Sequence, residues 1–263
     1  MTDTRVAGVA ELVSVIFLTM PNFTHLHCHS YFSLLDGAAS PGDLCRRAAE
    51  LGMCALAVTA HNTLAGAVRF FQAAREVGIK PIIGVEFTVE LVSSQPLPSL
   101  SPPAGVDPRR MKDVRRDTTP DYTRSAHLVL LAEDNEGYSN LCRLVTCARL
   151  GQVQHSGPFS EEYRQIDRKK PLLSQEHLRQ YASHLICLSG CEKGEIPRLV
   201  MAGRRSEALA VADYYRQLFP DSRFYLEIQN HLLPSPHRGL RYKLEGLAHQ
   251  LGLPLVATNN VHY

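Results

Sequence analysis

The sequence contains no Cys-x-x-Cys pair, and its seven cysteines, at positions 28, 45, 54, 142, 147, 187 and 191, are odd in number and scattered through apolar segments. Neither a disulfide framework nor a thiolate zinc finger is suggested, and a reducing, cytoplasmic setting is expected. A strong charge imbalance is also missing: the formal net charge is +2. Phosphate recognition depends on a local basic patch, so this total by itself argues for neither nucleic acid nor a membrane surface. Long apolar runs are absent too. Val6 to Met20 comes nearest, but it is too short to span a bilayer, carries Glu11 and is followed by no small-residue cleavage site. Residues 1–20 are expected to be a non-core extension, with one folded domain over 21–263.

What is present is core material. At 263 residues, 44% hydrophobic and 21% charged, the chain can bury a large core. From Phe23 onward, short apolar runs alternate with helical patterns, which is how βα units stack around a parallel sheet or barrel. Ser40, Pro41 and Asp43 mark a helix start by capping box, and Gly52 marks its end. Strands are predicted at 54–59, 81–87, 127–132, 184–189, 223–228 and 253–258, and helices near 64–77, 136–149, 206–218 and 237–250. Together with the first helix, that makes about seven repeats. Two segments break the rhythm: 91–125, with Arg109, Arg110, Lys112, Arg115 and Arg116, and the polar stretch 151–173. Basic loops of this kind can follow a phosphate backbone or be solvated insertions. The segment 91–125 and the residues before Pro21 lack a periodic apolar face, so few contacts with the domain are expected from either.

The chemistry concentrates at His25-Leu26-His27-Cys28-His29, where three imidazoles at strand spacing would project from one face of an extended chain. Neutral imidazole is a common metal ligand, although an isolated His-x-His is weak by itself. Further donors stand at or near the ends of other predicted strands: Asp36, His61, Glu86, Cys191 and His262. In a parallel βα barrel the carboxyl ends of the strands converge on one rim, so these residues can meet. So many His and carboxylate groups exceed what one ion needs, and a multinuclear centre for hydrolysis at phosphorus follows. His127 fits poorly, because it opens its predicted strand instead of closing it.

The strings HLHCHSYFSLLDG, LGMCALAVTAHNTLAGAVRFF, GIKPIIGVEF, HLVLLAEDNEGYSNL, LSGCEKGEIPRL and PLVATNNVHY resemble, in order, successive blocks of the PHP domain in the alpha subunits of bacterial DNA polymerase III, replicative or error-prone. They cover Phe23 to Tyr263 apart from the two irregular segments. The resemblance implies a distorted seven-stranded βα barrel, similar to a TIM barrel, with up to three divalent ions (zinc, manganese or magnesium) at one rim. It assigns the ligand positions to His27, His29, Asp36, His61, Glu86, His127, Cys191, Asn260 and His262, with Asp36, Glu86 and His262 in catalysis. Two positions depart from the family: Asn260 stands where aspartate is usual, and Ala60 stands where an aspartate precedes the histidine. An amide offers a carbonyl oxygen but no bridging charge, and a missing carboxylate next to His61 is expected to loosen that ligand. The implied activity is a metal-dependent phosphoesterase or 3′→5′ exonuclease. Its expected partners are DNA, the remaining polymerase domains and other replisome subunits. A non-catalytic interaction domain, or a free-standing phosphatase such as histidinol phosphatase, are the alternatives.

Overall fold

The computed structural model describes residues 23–34, 36–98, 123–150, 170–229 and 237–262. Six strands form one curled sheet in sequence order: β1 (Ala55–Val58), β2 (Lys80–Glu90), β3 (Ser125–Ala132), β4 (Leu185–Leu188), β5 (Phe224–Gln229) and β6 (Leu255–Thr258). Between them lie α1 (Pro41–Glu50), α2 (Ala67–Glu76), α3 (Asn135–Leu150), α4 (Gln175–Gln180), α5 (Glu195–Met201), α6 (Arg205–Leu218) and α7 (His237–Leu251). The first helix starts as its sequence signals: Ser40 Oγ accepts from the Asp43 amide at 3.0 Å, and Pro41 occupies the first turn.

Strand alternation divides the apolar residues between two faces. On the outer face, Val85, Phe87, Leu128, Leu130, Leu185 and Phe224 pack with Leu141, Leu144, Leu199, Val211 and Leu247 of the helices. A second outer cluster joins Leu56 and Val58 to Cys45, Phe70 and Ala74 of α1 and α2. The inner face is narrower. There Ala57, Val129, Leu131 and Leu188 are buried together, with Leu26, Ile82, Ile186, Tyr225 and Val256 against them. Gly84 belongs to this inner set: a Cβ there would lie 2.5 Å from Leu131 Cδ2 and 2.8 Å from the Leu130 carbonyl.

Two expectations need correction. The described residues form six strands, not seven, and they are not uniformly parallel: β1–β2, β4–β5 and β5–β6 are parallel, whereas β3 runs antiparallel to both β2 and β4. The His-rich segment is not a regular strand either. It makes one bridge, Cys28 to Val261, and bonds on two sides: Ala57 and Thr59 amides donate to the His25 and Cys28 carbonyls, while His29 N and Val261 O lie 2.7 Å apart. The short helices α4 and α5 are absent from the sequence reading, because six and seven residues carry too little periodicity.

The irregular segments are also better anchored than expected where they are described. Leu97 is buried in the main core, and the amides of Val92 and Ser93 donate to the carboxylate of Glu195 at 2.9 and 2.7 Å. Arg198 donates to the carbonyls of Ser125 and Pro98, at 3.0 and 2.5 Å. Leu173, at the end of the second segment, is fully buried and bridges Val89. The residues before Phe23 and most of both segments, including the arginine cluster, lie outside the described residues.

Leu144 is fully buried between α3 and the outer face of the sheet. Leu144→Ala is expected to lower stability by about 2–5 kcal/mol, as cavity-forming changes do. Urea unfolding should show an earlier midpoint at unchanged slope; an unaltered midpoint would contradict this packing.

Candidate metal centre

The inner stripe of each strand turns from apolar to polar toward one end of the sheet. Ile82 leads to Glu86 on β2, Tyr225 to Glu227 on β5 and Val256 to Thr258 on β6; Ala57 leads past Thr59 to His61 beyond β1. On β3 the same change runs the other way, from Leu131 and Val129 to His127. The antiparallel direction resolves the difficulty with His127: the start of this strand lies at the rim where the parallel strands end. Bridges His61 to Glu86 and His127 to Gly194 tie that rim together.

Glu86 is 1% exposed and stands at the centre. His127 Nδ1 lies 2.7 Å from Oε1 and His61 Nδ1 2.8 Å from Oε2. His27 Nε2 and His29 Nε2 are each 3.4 Å from one of the two oxygens. Cys191 Sγ is 3.6 Å from Oε1 and 3.8 Å from His127 Nδ1. Nearer to solvent, Asp36 Oδ2 is 2.7 Å from His61 Nε2, and Asp36 Oδ1 is 3.5 Å from His262 Nδ1. His262 stacks on His29 with ring centroids 4.4 Å apart. Eight of the nine expected positions therefore meet at one rim, in a deep group (His27, His29, Glu86, His127, Cys191) and a half-exposed group (Asp36, His61, His262).

Asn260 is two residues from His262 and lies in the left-handed region at φ +47, which asparagine tolerates better than most residues. Its Oδ1 is buried and takes no hydrogen bond among the described residues. His25 does not join its two neighbours; its ring packs edge-on against Phe23, 4.9 Å between centroids. Ala60 is buried beside Val58, Leu64, Phe70 and Ile83 under α2. His61 is held instead by Asp36 and Glu86, one at each ring nitrogen, so Ala60 does not leave it loose. Glu227, by contrast, is a buried carboxylate that the sequence reading passed over. Its Oε1 lies 2.8 Å from His27 Nδ1 and accepts from Gln229 Nε2 at 2.6 Å and from Thr258 Oγ1. Its signal was an acid at an inner position of an otherwise apolar strand, FYLEIQ.

Charges are strongly coupled here. Burial opposes charge on Glu86, but His127, His61 and His27 outweigh it and hold the carboxyl well below its usual range. Burial likewise works against protonation of His27 and His61, yet the carboxylates win, raising them to about 10 and about 9. The balance reverses at His29, where burial and three neighbouring imidazoles push the pKa down to about 2. Burial and Glu86 raise the Cys191 thiol far above its ordinary value. Such a cluster of imidazoles, carboxylates and a thiol suits divalent ions. Within the sets His27–His29–Glu86 and His61–Glu86–His127, one ligand atom from each residue lies within 4.8 Å of the others. His27 Nε2 and His29 Nε2 are buried without a hydrogen bond among the described residues, as inward-facing metal ligands would be. Gly190 is needed beside them: its φ is +82, and a Cβ would meet the His127 carbonyl at 2.7 Å.

A curled α/β sheet carries a His/Glu/Cys cluster at one rim that suits divalent ions, and the comparisons give its family. The PHP domain profile matches residues 25–231, and the chain belongs to that family. Over 92% of its length it is 41% identical to the error-prone DNA polymerase of Symbiobacterium thermophilum and 37% identical to the DNA polymerase III subunit alpha of Treponema pallidum. It spans 19% and 18% of those two proteins, about a fifth of each. Among solved structures, a candidate metal-dependent phosphoesterase from Bifidobacterium adolescentis aligns with 91% of this chain and 87% of its own at 17% identity and a TM-score of 0.49. No helix among the described residues is long and apolar enough to cross a membrane.

Metal uptake should be linked to protons. Below the raised values of His27 and His61, and with Cys191 a thiol, the metal-free cluster carries protons at pH 7.5 that ligation must displace. Titration of the protein with zinc is therefore expected to release about two protons per first ion. Affinity should rise as pH increases from 6 toward 9. Calorimetry in buffers of different ionisation heat measures this; binding without proton release would contradict the charge assignment.

Proposed function

We propose that this chain is the PHP domain of a bacterial DNA polymerase III alpha subunit, replicative or error-prone, and that its rim cluster is a phosphoesterase centre of 3′→5′ exonuclease type. The observation that carries this reading is the convergence of five imidazoles, a thiol and the carboxylates of Glu86 and Asp36 at one rim. Similarity to polymerase chains over 92% of the length supports the larger assignment. Residues 25–29, which bond to Ala57 and Thr59 on one side and to Val261 on the other, would take the place of the seventh strand that the resemblance implies.

The ligands are His27, His29, Asp36, His61, Glu86, His127, Cys191, Asn260 and His262, for up to three ions of zinc, manganese or magnesium. Bound ions would supply Lewis acidity and a water of lowered pKa. The chain's own residues divide the remaining work. Glu86 reaches both sides of the cluster with its two oxygens. Asp36 stays ionised through its bond from His61, and it orients groups at the open side. Burial lowers His262, keeping it neutral near pH 7 beside Asp36, the form in which an imidazole can ligate. The substrate would be single-stranded DNA or a primer 3′ end, and the partners would be the other polymerase domains and replisome subunits in the cytoplasm.

Asn260 favours a second reading, a domain whose catalysis has faded and whose role is to pack against the polymerase body. Repulsion among closely spaced cations grows as each anionic ligand is lost, so the least tightly held ion goes first. Weak or absent nuclease activity is expected in the natural chain, with recovery of about 10-fold or more on Asn260→Asp. Release of nucleotides from single-stranded DNA with manganese or zinc tests both readings. Equal activity in the two proteins would show that position 260 does not limit the chemistry. Activity in neither, with metal bound, would favour the packing role.

A further inference from the structure

We infer that Glu227, outside the nine ligand positions, is a positioning residue of the metal centre: it fixes His27 with Nε2 facing the cluster, and it supplies the third carboxylate charge that Asn260 fails to provide. This rests on the metal-centre reading above.

Glu227 belongs to the inner stripe of β5, one layer from Tyr225, and is 2% exposed. Burying a carboxylate costs several kcal/mol unless charge and hydrogen bonds offset it. The offsets are specific. Thr258 Oγ1 and Gln229 Nε2 both donate to Oε1, and the Glu227 amide donates to Ser189 Oγ at 2.9 Å, which locks the backbone beneath. With those donors in place, Oε1 meets His27 Nδ1 at 2.8 Å. An ionised carboxylate only accepts, so Nδ1 must carry the proton and donate. In the neutral imidazole the lone pair is then on Nε2, the nitrogen 3.4 Å from Glu86. The carboxylate thus selects the tautomer that a metal ligand requires at this position, and raises the basicity of Nε2.

His29 is backed differently. Its Nδ1 is 2.8 Å from Ser33 Oγ, a neutral hydroxyl, while its Nε2 also lies 3.4 Å from Glu86. Two neighbouring imidazoles therefore face the same carboxylate, one backed by a charge and one by a dipole. Glu227 and Glu86 stand on opposite sides of His27. With Asp36 they bring the carboxylates of the centre to three, although only two of them are at ligand positions.

The test uses the isosteric Glu227→Gln, which keeps a carbonyl for Nδ1 and removes only the charge, with Glu227→Ala, Asn260→Asp and the Glu227→Gln/Asn260→Asp double variant. Zinc and manganese affinities are measured by chelator competition and ion content by elemental analysis. The His27 nitrogen that ligates is read from imidazole nitrogen shifts of the zinc-loaded protein, and thermal unfolding of each metal-free variant controls for folding. Glu227→Gln is expected to keep its metal-free melting temperature within a few degrees and to lose about 10–100-fold in affinity. Asn260→Asp should restore more affinity in the Glu227→Gln background than in the natural one. Equal affinity in natural protein and Glu227→Gln overturns the inference, as does zinc bound through His27 Nδ1 in the natural protein. Loss of affinity only in proportion to lost folding, seen in Glu227→Ala but not in Glu227→Gln, reduces Glu227 to a structural role and also overturns it. Failure of the natural protein to bind either metal removes the metal-centre reading itself, which is a different result from metal bound equally by both proteins.

Discussion

A charged carboxylate buried inside a protein has to be answered by its surroundings, and Glu86 is answered from every side. His27 and His29 come from the segment before α1, His61 from beyond β1, His127 from β3 and Cys191 from the loop after β4. Desolvation of such a group costs several kcal/mol, more than any surface ion pair returns, so these elements must arrive together or not at all. That requirement explains the local devices around the rim. Gly190 turns the chain where a side chain would strike the His127 carbonyl, and at Gly37 a Cβ would lie 2.1 Å from the Ser30 carbonyl, so the Asp36 loop depends on its absence. Ser33 steadies both His29 and the amide of His61.

The charge distribution has a direction. The deep residues are almost fully buried, while Asp36, His61 and His262 keep 39, 23 and 20% of their side-chain surface. Groups that hold position lie beneath groups that can exchange with solvent. Below both, Ala57, Val129, Leu131 and Leu188 fill the inner face with hydrocarbon, so the polar layer rests on a dry floor. A low-dielectric floor strengthens each electrostatic interaction above it.

Much of this was legible in the residues. The strands at 127–132 and 223–228 differ by at most two residues from those observed, and the Ser40 cap is formed. Those features are local, and local signals survive in any fold. The direction of β3 was not local: an apolar run reads the same both ways, and only its partners decide. His127 hinted at the answer, since a ligand at the start of a strand belongs at the rim only if that strand is reversed. The triple-histidine face failed for a related reason. His25 lies where the chain is not held as a regular strand, so period-two alternation does not extend to it. Glu227 was hidden because an acid in an apolar strand has no motif of its own; its meaning depends on Thr258 and His27, 31 residues ahead and 200 behind.

The reversal of β3 also decides where this architecture can vary. Because β2 leaves and β3 returns at the same end of the sheet, the connection between Glu90 and Ser125 has both feet on the rim of the His/Glu cluster, and Glu195 and Arg198 clamp those feet. Lengthening a connection whose ends are already fixed costs only about 0.6 kcal/mol per doubling. Descendants of such a domain can therefore vary the length and charge of this connection while its two ends and the strand registers stay as they are. The fold separates a region free to diversify from a chemistry that is not.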